Sequence, residues 1–231
     1  MRYKLDLQKI FNSLLIHYGP RKWWPAKTRF EVIIGAILTQ NVSWGNAKRA
    51  VNKLKKNRML SVDAILLNRQ SKIASLIKSS RFYNQKAKNI KGFCRYLVKK
   101  YDGSLDKMFS NDIAMLRTEL LTLRGIGKET ADSMLLYAGK KIIFVSDAYT
   151  SRLLRRYGFD VNISSYDQIQ NFFMNNLPKD IYIYKEFHAL IVHHCYAICT
   201  SKPECNQCPI KNINKKVRCV FAANQIEANM P

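Results

Sequence analysis

Leu123-Arg124-Gly125-Ile126-Gly127-Lys128-Glu129-Thr130-Ala131, with Asp147 twenty residues beyond the second glycine, is the stretch from which the fold is read. Two glycines one residue apart, ahead of a helical run, predict a tight turn that exposes consecutive backbone N–H groups. Those amides and the helix N-terminus behind them suit a phosphate oxygen. An isolated Gly-x-Gly is equally an ordinary interhelical turn, so the remainder of the chain decides between the two.

Outward from the turn, helical periodicity dominates. Leu7, Ile10, Phe11, Leu14, Leu15 and Tyr18 form one apolar face of a first helix. Thr28-Arg29-Phe30-Glu31 reads as a capping box opening a second helix through Leu38, and Ser165-Tyr166-Asp167-Gln168 as another, whose helix Pro178 terminates. Ala87, Ile90, Cys94 and Leu97 mark a helix over Asn84–Lys100, with further helices near 43–56, 61–67, 71–79, 111–121, 128–138, 148–157 and 181–198. Ile142–Val145 reads either as a short strand or as extended linker. The fold class is all-α.

The 231 residues, 47% hydrophobic, suffice for a compact core in one or two domains. Lys and Arg number 39 against 16 Asp and Glu, a formal charge of +23 that favours a polyanionic partner. No apolar run approaches the ~20 residues that span a bilayer, and no signal-peptide pattern opens the chain. Nucleic acid is therefore expected over a membrane surface, and a cytoplasmic, nucleoid-associated location follows.

Cys199, Cys205, Cys208 and Cys219 are spaced C-x5-C-x2-C-x10-C, with Pro203 and Pro209 among them. Four thiols in so short a loop argue for a metal or cluster site, and spacing alone leaves zinc and a [4Fe–4S] cluster both open. Without a secretion signal a disulfide framework is disfavoured. Cys94 lies on an apolar helical face and reads as packing. Trp23-Trp24-Pro25 precedes the capped helix; consecutive indoles there serve either as core or as a stacking wall for an extruded base. His188, His193 and His194 are assigned no role.

The turn, Asp147, the cysteines and Thr39-Gln40-Asn41 together resemble the helix-hairpin-helix DNA glycosylases of the endonuclease III family. The resemblance implies two helical domains: a six-helix domain over 27–142 carrying the hairpin, and a domain of the combined termini, 1–26 and 143–231. Double-stranded DNA with a damaged, flipped base would lie in the cleft between them, bound by a monomer. It implies that Asp147, otherwise a helix N-cap, is catalytic, that Gln40 enters the duplex where the base has left, and that Gly125, Gly127 and Lys128 meet the DNA backbone. It also favours a [4Fe–4S] cluster over zinc on Cys199, Cys205, Cys208 and Cys219. The last gap is longer than in the best-known members, which leaves Cys195 as the alternative fourth ligand. The segment with Trp23, Trp24 and Pro25, together with Trp44, resembles the 3-methyladenine branch, where such residues line the base pocket. An electron-rich aromatic wall attracts a positively charged alkylpurine.

One departure bears on chemistry. Where lyase-competent members carry a Schiff-base lysine, this chain has Glu129. A carboxylate forms no imine with a sugar carbon, and Lys128 is rotated about 100° from that direction. The resemblance thus implies a monofunctional glycosylase. Two alternatives remain: a bifunctional glycosylase/AP lyase on oxidised bases that recruits Lys128 or another lysine, and a non-catalytic DNA-damage-binding protein, against which Asp147 speaks.

Overall fold

The computed structural model describes residues 3–159, 164–213 and 219–223. Among them are twelve α-helices of six residues or more, a further helical stretch over 220–223, and no β-strand. They fall into two compact units, one from Trp24 to Lys141 and one formed by the chain ends, up to Trp23 and from Ile142 onward.

The central unit is built on α2 (Arg29–Leu38), in which every residue from Phe30 to Leu38 is buried. A helix that is apolar on all sides has to be surrounded. Around it pack α3 (Trp44–Lys56), α6 (Tyr83–Tyr101) and α9 (Lys128–Ser133), which runs on as a π-helical turn over Met134–Ala138. The unit also holds α4 (Val62–Leu67), α5 (Gln70–Leu76), α7 (Leu105–Ser110) and α8 (Ile113–Thr122). Thr28 caps α2 as its sequence indicates, with Oγ1 accepting from Glu31 N–H at 3.1 Å. The return half of the capping box differs. The buried Glu31 carboxylate instead accepts from Lys27 N–H at 3.0 Å and from Lys55 Nζ at 3.2 Å, because a cation on α3 outcompetes the cap amide.

Two lysines of α6 are buried, Lys86 at 3% exposure and Lys91 at 8%. Each places its ammonium on carbonyls at the C-terminal end of another helix: Lys86 on Leu38 of α2, Lys91 on Ile65 and Leu66 of α4. Cations there satisfy orphan carbonyls and meet the negative end of the helix dipole.

In the terminal unit α1 (Lys4–Tyr18) and α10 (Ala148–Tyr157) pack on α12 (Ile181–Ala197), with α11 (Tyr166–Asn176) alongside. Leu7, Ile10, Phe11 and Leu14 are buried on α1, the face its periodicity marks. Ile142–Val145 is extended linker and not a strand. Ile143, Phe144 and Val145 are buried, Phe144 stacks on Phe173 at 4.3 Å, and its carbonyl accepts from Gln170 Nε2 at 2.6 Å. A side-chain amide thus does for this backbone what a neighbouring strand would.

Candidate active site

The turn between α8 and α9 is a β-turn over Leu123–Ile126, closed by Ile126 N–H donating to Leu123 O at 3.0 Å. Gly125 occupies its third position at φ +77°, which makes the turn type II and calls for glycine. A Cβ at Gly125 would also fall 1.8 Å from the Asn89 side-chain amide. Gly127 is extended (φ −91°, ψ 179°), and Lys128 and Glu129 are exposed on the first turn of α9. The hairpin is held rigid from beneath, where Arg117 of α8 grips the buried Asp132 of α9 with two bonds, at 2.7 and 3.0 Å.

Gln40 follows the C-terminus of α2. Its amide turns to the hairpin, donating to Gly125 O at 2.8 Å and Thr130 Oγ1 at 2.7 Å. The next residue, Asn41, is exposed and left-handed at φ +55°.

Trp24 and Trp44 meet edge to face in the same unit, with centroids 5.4 Å apart, and Tyr137 joins them 5.6 Å from Trp24. Tyr137 belongs to the π-helical turn, a geometry that displaces side chains from the α-helical register and is frequent at functional sites. Gly35 makes the slot for Trp24: a Cβ there would stand 3.0 Å from the indole. Trp24 and Trp44 are half-buried and Pro25 is exposed. Trp23 falls in the terminal unit.

Asp147 is the N-cap of α10. Its Oδ1 accepts from Tyr149 and Thr150 N–H at 2.9 and 2.8 Å, and Thr150 Oγ1 accepts from Asp147 N–H at 2.7 Å, a complete capping box. Its other oxygen lies 3.5 Å from His188 Nε2. Burial alone would raise this carboxyl, but the His188 imidazole and the Thr150 amide outweigh it and hold the group below the usual carboxylate range. The stability this contributes is present above the carboxylate's unfolded value and is lost as acid protonates it.

Cys199, Cys205, Cys208 and Cys219 line one cavity together with Arg156, Ile198, Pro203, Phe221 and Ala222. All are free thiols. Cys195 is not among the lining residues; its Sγ donates to Tyr149 O at 3.7 Å. The Cys195 thiol, with His194 and Arg156, draws the Cys199 thiol well below its usual value, against its burial. Arg156 Nη1 sits 2.9 Å from Cys199 Sγ, and His194 Nε2 3.6 Å from Cys208 Sγ. Among the described residues no three His, Cys, Asp or Glu side chains are drawn in tightly enough for one metal ion between them. A convergent set of four thiols around a common space, with cationic and imidazole groups behind it, does fit a thiolate-bound cluster.

Sequence reasoning missed His188, His194 and Tyr137. Each acquires its significance from a partner distant along the chain, and no local pattern marks any of them.

Residues 34–179 match the HhH-GPD superfamily of base excision DNA repair proteins. The chain is 48% identical over 207 residues to a protein of Methanocaldococcus jannaschii provisionally described as a DNA repair glycosylase, covering 89% of this chain and 94% of the relative. The H. pylori 3-methyladenine DNA glycosylase bound to 1,N6-ethenoadenine is similar at TM-score 0.72 and 28% identity, covering 82% of this chain and 96% of that one. An endonuclease III trapped as a covalent intermediate with DNA shares the fold at TM-score 0.79 and 19% identity, covering 96% and 98%.

Proposed function

Because this chain belongs to the HhH-GPD superfamily of base excision DNA repair glycosylases, we propose that it hydrolyses the N-glycosidic bond of a positively charged alkylpurine, of the 3-methyladenine type, in duplex DNA and leaves the sugar–phosphate backbone uncut. The observation that carries the chemistry is Asp147, held ionised by the first turn of α10 and by His188. A carboxylate stabilises the positive charge that develops on deoxyribose as the base departs, and orients the water that replaces it. Trp24, Trp44 and Tyr137 support the substrate class, since their π faces attract a cationic base; Pro25 adjoins them in the same unit. Gln40, Gly125, Gly127 and Lys128 form the DNA-facing edge of the central unit, where backbone amides and a lysine meet phosphate. Glu129 occupies the position where an imine-forming amine would act, and a carboxylate cannot supply that chemistry.

Cys199, Cys205, Cys208 and Cys219 would hold a [4Fe–4S] cluster. Bound there, it would cross-link the C-terminal loop, in which Lys202 and Lys211 would then be held for contact with phosphate. Anaerobically purified protein should contain about four irons and four sulfides per chain, and Cys208→Ser should lower both. Zinc without iron in that preparation would assign the site to zinc.

The reading is tested on N-methylated duplex DNA. Methylpurines should be released, with strand breaks appearing only after alkali and no borohydride-trapped adduct. Breaks without alkali, together with a trapped adduct, would make the enzyme a lyase acting through Lys128 or another lysine. Duplex binding without release of any base would make it a damage-binding protein.

A further inference from the structure

Lys86 stands on the first turn of α6 with its ammonium enclosed. It donates to Leu38 O at 2.9 Å, Gln40 O at 2.7 Å and Ser80 Oγ at 2.8 Å, which uses its three N–H bonds. Ser80 Oγ in turn donates to Leu38 O at 2.8 Å. The residue whose carbonyl Lys86 holds, Gln40, is also the one whose side chain reaches the hairpin at Gly125 O and Thr130 Oγ1. One turn further along α6, the Asn89 amide, oriented to donate, reaches Arg124 O at 3.3 Å. A continuous chain of bonds therefore runs from α6 through the turn after α2 to the type II turn.

We propose that Lys86 is a positioning residue that locks the turn at 39–41 to the helix-hairpin-helix, so that both segments meet DNA as one rigid element. The inference rests on the proposed reading that these segments face DNA. Burial pushes the Lys86 ammonium down to about 8, so the cation is kept inside against a desolvation cost that an apolar side chain of similar length would not carry. Lys91 gives an internal comparison: it is buried on the same helix and bonded to the end of α4 in the same manner, yet its acceptors, Ile65, Leu66 and Asn68, belong to neither segment.

The test compares the full-length wild type with Lys86→Met, Gln40→Leu, the double variant and Lys91→Met. Amide hydrogen exchange is read at 39–42 and 124–130, alongside single-turnover base release and affinity for undamaged duplex. Lys86→Met should speed exchange in both segments and slow release roughly 10- to 100-fold, the scale of a misplacement of about 1 Å. Adding Gln40→Leu should speed exchange in the two segments little further, because in holding them together the two act through one tie; release and affinity fall further in the double variant, since Gln40 also faces DNA. Lys91→Met should lower the melting temperature without either effect. The proposal is overturned if exchange changes only at 39–42, if the two substitutions add in their effect on exchange, if Lys91→Met reproduces the pattern, or if release and duplex affinity both stand unchanged in Lys86→Met. Should the wild type release no base, the glycosylase reading fails. The lock is then decided by exchange and duplex affinity: loosening of both segments with weaker binding upholds it, and any other result overturns it.

Discussion

Asp147→Asn should reduce base release by about 10²–10³-fold, the scale seen when one preorganised electrostatic group is removed from an active site, while duplex affinity holds. The substitution separates the two duties of the residue. Asparagine is as good an N-cap as aspartate, and its Oδ1 can keep the bonds from Tyr149 and Thr150 N–H that Asp147 makes. Only the negative charge is lost, and that charge is what opposes the cation forming on the sugar. Asp147→Ala removes the cap as well, at a cost of about 1 kcal/mol, and serves to show what capping alone contributes. Single-turnover release measured beside thermal unfolding and duplex titration reads all three. If Asp147→Asn releases bases as fast as the wild type, or loses activity only as far as it unfolds, the residue is a cap and the catalytic group lies elsewhere.

Gly125→Ala should destabilise the central unit by about 2–5 kcal/mol. Left-handed backbone costs a residue with a Cβ roughly 1–2 kcal/mol, and overfilling a packed site adds about 1–3 kcal/mol. Here the added carbon meets the Asn89 amide at 1.8 Å, well inside van der Waals contact, and Asn89 is itself buried. A fall in melting temperature on the order of 4–20 °C follows for a chain of this size. Gly127→Ala gives the opposite profile. Its backbone is extended, and its Cβ would have no atom within 4 Å. It should therefore fold normally yet bind duplex more weakly, because the methyl stands where a phosphate would approach. Equal melting temperatures for the two variants would contradict the type II turn described above.

The contrast between the two glycines shows what can be read from residues alone. Gly-x-Gly marks the turn, but only packing against Asn89 shows which glycine the fold demands and which is left for a ligand. Long periodic helices such as α1 and α6, and caps such as Asp147 and Ser165, are legible because their signals lie within a few residues. The six-residue α7 buries only Met108 and Phe109, adjacent positions that give no helical period. Glu31 has the spacing of a capping box, yet tertiary contact with Lys55 redirects its carboxylate. The four cysteines announce a site by density alone. His188 beside Asp147, Tyr137 beside Trp24 and Lys86 beneath Gln40 do not, since each is defined by a neighbour that chain order places far away.

The two buried lysines also change how the charge of this chain presents itself to a polyanion. A formal +23 counts every ammonium alike, but Lys86 and Lys91 are committed to carbonyl oxygens in the interior. A duplex arriving from solution meets neither. The steepness with which salt dissociates a protein from DNA reports the counterions displaced by cations at the phosphates, so in this protein it counts surface residues only. Net charge therefore overstates the attraction, and part of what reads in the sequence as a nucleic-acid signature is internal architecture written in the same amino acid.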